Sequence, residues 1–111
     1  MAASVSGGGH AIWESLAVTP DGRRTLVAFS SPSCAACHTA QAPAVSAAAE
    51  QVGTDAVRVI RVDVATRPGV ARAFGVMTVP STAVLNAGGR VIAVNQGFAP
   101  SRRLIEQLRL A

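Results

Sequence analysis

The two cysteines of this chain lie three residues apart, in the run Cys-Ala-Ala-Cys-His at positions 34–38. Two different chemistries use this spacing. C-x-x-C-H is the attachment signature of a c-type haem, in which the His ligates the iron, whereas C-x-x-C at the start of a helix after a buried strand is a dithiol/disulfide redox site. The choice between them depends on the elements that hold Cys34, Cys37 and His38.

The segments on either side of the motif predict a strand and a helix. Arg24–Ser31 is a short apolar run bounded by turn residues, which is typical of a strand buried on both faces. An Ala-rich helix is predicted from Cys34 to about Val52, with Gly53 as its end. Pro43 lies inside this helix and should kink it, because its ring removes one backbone donor.

The rest of the chain completes an alternating pattern of helices and strands. A short amphipathic helix is predicted before the first strand, at Ala11–Val18. After the motif helix come a strand at Ala56–Val64, a short helix at Pro68–Gly75, a β-hairpin at Ser81–Asn86 and Arg90–Gly97, and a terminal helix at 99–111. Strand-helix-strand order predicts parallel pairing, and the hairpin adds antiparallel strands. We therefore expect a mixed sheet with helices on both faces.

Length and composition indicate one folded domain. The chain has 111 residues, of which 50% are apolar and 14% charged, enough for a self-sufficient hydrophobic core. Residues 1–9 are rich in Gly, Ser and Ala and are predicted to be a flexible lead-in to a domain at 10–111. Two cysteines this close cannot link distant segments, so they are not a structural disulfide framework.

The charge pattern argues against a nucleic-acid partner. All ten basic residues are Arg and the net charge is +4, but the arginines are spread along the chain and are not interleaved with aromatic residues. The charge would favour acidic partners only weakly. No apolar run approaches the roughly 18 residues that a transmembrane helix needs.

The predicted elements favour the dithiol over the haem. Haem binding would use His38 and a second ligand such as Met77, in what is usually a small all-helical protein. Here the motif follows a buried strand and opens a helix, whose N-terminal amides make a thiol there more acidic. Cys34 would be the exposed nucleophile, and Cys37, one turn deeper, could attack a mixed disulfide held on it. Three ligands from one helical turn also make a poor closed zinc site, so no metal or cofactor is predicted.

A second feature is the Val79-Pro80 pair, just before a predicted strand, since X-Pro bonds are the only ones that readily become cis. With the C-x-x-C helix and its internal Pro, the hairpin glycines and Gly97 before the last helix, residues 10–111 resemble a thioredoxin. The resemblance implies a thioredoxin-like three-layer α/β/α fold. Its central mixed sheet would have four to five strands, the first strand being short or missing.

The resemblance also implies an activity and a site. The chain would be a protein-disulfide oxidoreductase with Cys34 as nucleophile, Cys37 as resolving cysteine and His38 tuning the thiolate. Pro80 would be cis and lie against Cys34, the Val79 backbone would pair with an extended substrate segment, and Gly97 would permit its close approach. The implied partners are protein disulfide or dithiol substrates and a recycling reductase or oxidase, acting on a monomer without a cofactor.

The sequence departs from the thioredoxin pattern at several positions. Ser33 replaces a Trp, Ala35-Ala36 replaces Gly-Pro, Ala28 replaces a buried Asp that assists the second cysteine, and Pro43 falls one residue late. Unlike Pro, Ala36 has an N–H; this donor and a protonated His38 should favour the Cys34 thiolate and make the pair more oxidising. Loss of the carboxylate should slow release from the mixed disulfide.

Two other functions remain open at this point. One is a redox-inert binding module built on the same scaffold, and the other is the haem electron carrier. The expected compartment is the cytoplasm, since residues 1–10 lack the features of a signal peptide. The alternative is an extracytoplasmic, membrane-anchored domain whose anchor has been removed.

Overall fold

A computed structural model describes residues 10–111, so the lead-in predicted at 1–9 lies outside the described residues. Four α-helices and four strands are described in this part of the chain. The helices are α1 His10–Leu16, α2 Ala42–Val52, α3 Pro68–Phe74 and α4 Ser101–Leu110. The strands are β1 Arg24–Ser30, β2 Val57–Asp63, β3 Ser81–Leu85 and β4 Val91–Gln96, and a short π-helix, Cys37–Gln41, leads into α2.

The strands form one mixed sheet in the order β2-β1-β3-β4. β1 pairs in parallel with β2, from Arg24 opposite Val57 to Ser30 opposite Asp63. β3 pairs antiparallel with both β1 and β4. The prediction of a mixed sheet is confirmed, and among residues 10–111 no strand precedes β1, as expected from a short or missing first strand.

Helices cover both faces of the sheet and give the predicted three-layer α/β/α architecture. Successive residues of β1 point to opposite faces, so Val27 packs into one core and Leu26 into the other. The first core is closed by α1 and α3, the second by α2 and α4. The helical residues buried in the first core are Ile12, Trp13, Leu16, Val70 and Phe74. Those buried in the second core are Val45, Ala48, Ala49, Leu104 and Leu108.

The first helix ends two residues before its predicted limit at Val18. Ala17 adopts a positive φ of 60°, which stops the helix after Leu16. Trp13 on this helix is buried, and its indole Nε1–H donates to the carbonyl of Gly89 in the β3–β4 turn at 2.8 Å. The contact fixes α1 against the hairpin end of the sheet.

The motif helix is not a continuous α-helix. Ala35 and Ala36 are helical, Cys37–Gln41 form a π-turn, and α2 begins at Ala42. A π-turn holds one residue more than an α-turn, so it absorbs the one-residue displacement of Pro43. Pro43 lies in the first turn of α2, directly after the π-turn, and has no N–H to donate to the preceding turn. The kink predicted at Pro43 stays a prediction; the irregularity that the structure shows is the π-turn directly before it.

Candidate active site at the start of the motif helix

The sulfur pair lies just beyond the carboxyl end of β1. After Ser30 the chain turns through residues 31–33, and the Cys34 N–H donates to the Ser31 carbonyl at 3.1 Å. The helix starts directly after Cys34, which places its sulfur at a helix N-terminus. Unpaired amides there favour an anion and therefore the thiolate form of a cysteine.

Cys34 and Cys37 are joined by a disulfide, with their Cα atoms 5.3 Å apart. The two cysteines differ in exposure: Cys34 is half-buried, whereas Cys37 is buried, with 3% of its surface exposed. An external disulfide can therefore reach Cys34 more readily than Cys37.

A backbone amide donates to the outer sulfur. The Cys37 N–H lies 3.1 Å from Cys34 Sγ, within hydrogen-bonding distance for sulfur. The sequence pointed to Ala36 as the extra donor, but the hydrogen bond that the structure gives comes from Cys37. An N–H directed at this sulfur stabilises its anion, but the additional effect of an Ala36 donor stays a prediction.

His38 is exposed, and its ring interacts with backbone. Its Nε2 donates to the carbonyl of Ser31 at 3.1 Å, across the turn that precedes Cys34. The ring thus ties the turn to the first part of the helix. This contact is to a carbonyl and not to a sulfur, so thiolate tuning by His38 stays a prediction.

The Val79–Pro80 peptide bond is cis, as the resemblance implied. Pro80 is buried and Val79 half-buried. β3 starts immediately afterwards, and its first residue, Ser81, pairs with Phe29 near the end of β1. The cis-Pro segment therefore lies at the end of the sheet where β1 stops and the chain continues to Cys34.

Gly97 reaches the same end of the sheet from β4, because the preceding residue, Gln96, pairs with Ser81. Its φ is +84°, and a Cβ built on it would meet nothing within 4 Å. The backbone there faces open space, as close approach by a substrate would require. The predicted residues of the C-x-x-C motif, the cis-Pro segment and the β4 end thus come together at one end of the sheet.

Three polar side chains that hold these loops were not predicted. The buried Ser81 hydroxyl donates to the Thr78 carbonyl at 2.7 Å and accepts from the Gly97 N–H at 3.4 Å. Gln96 accepts from the Met77 N–H and donates to the Gly75 carbonyl. Gln41 is paired with Ala99 in the loop after β4. For Ser81 the sequence offered a signal, its position directly after Val-Pro; the two amides gave none.

A cavity of about 160 Å³ lies behind the inner cysteine. Its lining includes Cys37, Ala28, Gln41 and, as charged or titratable groups, His38 and Arg61. Ala28 and Arg61 are paired residues of β1 and β2, so their side chains lie on the same face of the sheet. The space that an acidic side chain at position 28 would fill is therefore open.

The described residues show neither a metal cluster nor a spanning helix. Within 10–111, no three or more His, Cys, Asp and Glu side chains are grouped so that they could hold a metal ion. Over the same range, the helices are too short or too polar to cross a membrane.

Comparisons with known proteins place the chain in a family. The thioredoxin family profile matches residues 13–109, which include the C-x-x-C motif, the cis-Pro segment and the terminal helix. The chain belongs to the thioredoxin family. Family membership and the Cys34–Cys37 disulfide together support an oxidoreductase that uses a dithiol/disulfide pair. A comparison with curated protein sequences gives no match.

Solved thioredoxin structures share the fold. A mutant thioredoxin from Halobacterium salinarum NRC-1 is 26% identical with a TM-score of 0.72, covering 85% of this chain and 79% of that one. Fasciola hepatica thioredoxin is 25% identical with a TM-score of 0.67, covering 90% and 86%. Chloroplastic thioredoxin z, at 20% identity, has a TM-score of 0.69 and covers 93% and 88%; it shows the fold alone.

Proposed function

We propose that this thioredoxin-family chain exchanges disulfides with protein substrates through a mixed disulfide on Cys34. The observation that carries the proposal is the asymmetry of the bonded sulfur pair. Cys34 is accessible, lies at a helix N-terminus and accepts an N–H at its sulfur, whereas Cys37 is buried beneath it. A nucleophile needs the first environment, and a resolving thiol needs only to reach the nucleophile.

In the reducing direction the reaction has two displacements. The Cys34 thiolate attacks one sulfur of the substrate disulfide, whose other sulfur leaves as a thiolate and takes a proton from water. Cys37 then loses its proton to solvent and attacks the Cys34 sulfur, which releases the second substrate thiolate. The substrate gains two electrons and two protons, the enzyme pair becomes the disulfide, and a partner reductase must return two electrons. An oxidase partner would drive the reverse sequence.

The two loops beside the sulfurs are proposed to bind the substrate chain. Val79, held by the cis bond to Pro80, would offer backbone groups to an extended segment, as in strand addition to a sheet edge. Gly97 supports this geometry because no Cβ occupies the open space at that position. The exposed side chains of Met77 and Phe98 would border the bound segment.

Trapping of the intermediate tests the mechanism. Reduced Cys37→Ser should accumulate a covalent adduct with a disulfide-containing protein such as insulin, because the adduct on Cys34 can no longer be displaced. Cys34→Ser is the matched control and should trap little, since Cys37 is buried. Equal trapping by the two variants, or an adduct on Cys37, would contradict the assigned roles.

The reduction potential of the Cys34–Cys37 pair is expected to be higher than that of thioredoxin, which makes the pair more oxidising. Ala36 has an N–H where the thioredoxin motif has a Pro, and this additional donor should favour the Cys34 thiolate and hence the reduced enzyme, so the potential should lie above thioredoxin's roughly −270 mV. Equilibration with glutathione buffers of known ratio measures it. A potential at or below that value would contradict this expectation and leave the exchange mechanism untouched.

The rival functions make different predictions for the purified protein. A haem carrier would show Soret absorbance. A redox-inert binding module would have thiols whose titration does not change between mild oxidation and reduction, whereas the proposed enzyme should lose both thiols on oxidation and regain both on reduction. Persistent thiols after oxidation would therefore overturn the proposal.

A further inference from the structure

Gln41 pairs its whole side-chain amide with one backbone residue of a distant loop. Its Nε2 donates to the Ala99 carbonyl at 2.9 Å, and its Oε1 accepts from the Ala99 N–H, also at 2.9 Å. Gln41 is 2% exposed and Ala99 is fully buried. Two hydrogen bonds shielded from water hold the amide in one orientation, and losing them would leave buried polar groups unpaired.

The pairing links the sulfur pair to the loop after β4. Gln41 is the last residue of the π-turn that starts at Cys37, and the Ala42 N–H donates to the Cys37 carbonyl to close that turn. Gln41 also lines the cavity behind the inner sulfur. One helical turn therefore carries the resolving cysteine at its start and the paired amide at its end.

The loop that Gln41 holds is one of the two loops proposed to bind the substrate chain, and it forms one wall of that binding site. Residues 97–100 connect β4 to α4, and within them Gly97 faces open space while Phe98 is 47% exposed. Ala99 is the buried anchor of this short segment. Its position fixes where Gly97 and Phe98 stand relative to the sulfurs.

We propose that Gln41 is a positioning residue for substrate binding: it holds the Gly97–Phe98 wall at a set distance from the Cys34–Cys37 pair. The inference rests on the proposed function. A wall that is already ordered does not have to be ordered when a protein substrate binds, so the pairing favours affinity for substrates that contact both loops. A small disulfide that touches only Cys34 gains nothing from it.

The test compares two substrates, with dithiothreitol as the reductant. For Gln41→Met, which keeps the length of the side chain but removes both hydrogen bonds, KM for insulin should rise about tenfold, as expected when two buried hydrogen bonds no longer preorganise a site. Its kcat for insulin and its kcat/KM for hydroxyethyl disulfide should stay within about twofold of the wild type. Amide hydrogen exchange at Ala99 should become faster.

Gln107→Met is the matched control. Gln107 exchanges two side-chain hydrogen bonds with Asn95, both at 2.9 Å, between α4 and β4. Its loss should lower the unfolding temperature less than Gln41→Met does, because this pair is only half-buried, and should leave the insulin KM, kcat/KM for hydroxyethyl disulfide and Ala99 exchange unchanged.

The outcomes distinguish the positioning role of Gln41 from the protein-disulfide activity on which it rests. A tenfold rise in the insulin KM confined to Gln41→Met supports the positioning role. Equal insulin KM values in both variants, or a parallel loss towards hydroxyethyl disulfide in Gln41→Met, would overturn it while leaving the enzyme reading intact. A wild-type protein that reduces hydroxyethyl disulfide but not insulin would overturn the proposed protein-disulfide activity, and the inference with it.

Discussion

In the proposed mechanism Cys37 must lose a proton, and Ala28 stands where an acidic side chain could have assisted it. Ala28 lines the cavity behind Cys37, and its paired residue on β2 is Arg61. Within the described lining of that cavity the charged or titratable groups apart from Cys37 are Arg61 and His38, and no carboxylate is among them. Resolution of the mixed disulfide should therefore depend on proton transfer to water, which is slower than transfer to a positioned base.

Ala28→Asp should accelerate insulin reduction. The cavity has room for the carboxylate, Arg61 would offset part of its burial cost, and a positioned base contributes roughly tenfold to hundredfold or more. Ala28→Asn, nearly the same size but unable to accept the proton at neutral pH, is the control. Equal rates for the two variants, measured as single turnovers of the mixed disulfide, would rule out the base effect.

The buried hydroxyl of Thr25 leads to a prediction about stability. Its side chain is fully buried, and its Oγ1 has no hydrogen-bond partner among the described residues. Thr25→Val replaces this hydroxyl by a methyl group of similar shape and should raise the free energy of unfolding by about 1 kcal/mol. Urea unfolding should show a higher midpoint with an unchanged m value.

Thr82→Val provides the comparison for Thr25. Thr82 is equally buried in β3, but its Oγ1 accepts from Asn95 Nδ2 at 3.0 Å, so this variant should be less stable than the wild type. A gain in both variants would mean that the methyl group, and not the unpaired hydroxyl, sets the result.

At the scale of single residues, the sequence predicted those whose residue type already indicates a chemical role. Cys34 and Cys37 stand out by their spacing, whereas the site roles of Pro80 and Gly97 came from the family resemblance; the structure brings all four to one end of the sheet. Gln41 could not be found in this way, because its partner is 58 residues away and an amide has no local signature. Its role depends on tertiary packing alone.

At the scale of elements, the β3–β4 turn and α1 depend on each other through one close contact. Gly89 has a φ of +84°, and a Cβ there would come within 2.9 Å of Trp13 Nε1. The Gly89 carbonyl also accepts the indole hydrogen bond. The turn therefore needs glycine both for its conformation and for the approach of the ring.

Gly89→Ala should be destabilising by about 2 kcal/mol or more, through the strained φ and the displaced indole. Gly22→Ala separates the two effects, since Gly22 has a φ of +85° and nothing within 4 Å of its Cβ. It should cost only the conformational part, about 1 kcal/mol. Equal losses in thermal or urea unfolding would show that the Trp13 contact contributes nothing.

The π-turn marks the limit of prediction for elements. Alanine-rich sequence favours a regular helix over this whole segment, and the displaced Pro43 indicated only that some irregularity was needed. Its placement at Cys37–Gln41 has no local signature: both end residues are buried, but residues four apart lie on one face of a regular α-helix as well.

For the whole molecule, the sequence predicted a mixed sheet but not the order of its strands. Alternating helices and strands indicated parallel pairing, and the glycines of the turn indicated the hairpin. The antiparallel pairing of β1 with β3, which joins the two halves of the site, links segments far apart in sequence and was not predicted. Long-range register is set by burial on both faces, and propensity does not encode it.

The net charge of +4 should make exchange with acidic substrates sensitive to salt. This total already counts Asp21, whose carboxyl accepts hydrogen bonds from the Arg23 guanidinium, and this contact lowers the pKa of Asp21 below its ordinary value. For an acidic peptide disulfide, kcat/KM should fall about threefold between low and high ionic strength, since screening removes long-range attraction. The same peptide with amides in place of its carboxylates is the control and should show no such fall.

Trp13 is the only tryptophan, and the chain has no tyrosine, so its emission dominates the intrinsic fluorescence. The ring lies against the hairpin turn, at the end of the sheet opposite to the sulfurs, because Thr25 and Leu85 pair at that end and Phe29 and Ser81 at the other. Excited-state quenching by a disulfide requires near contact. Emission should therefore follow global unfolding and remain silent when the sulfur pair opens or closes, which gives an optical signal of folding free of redox interference.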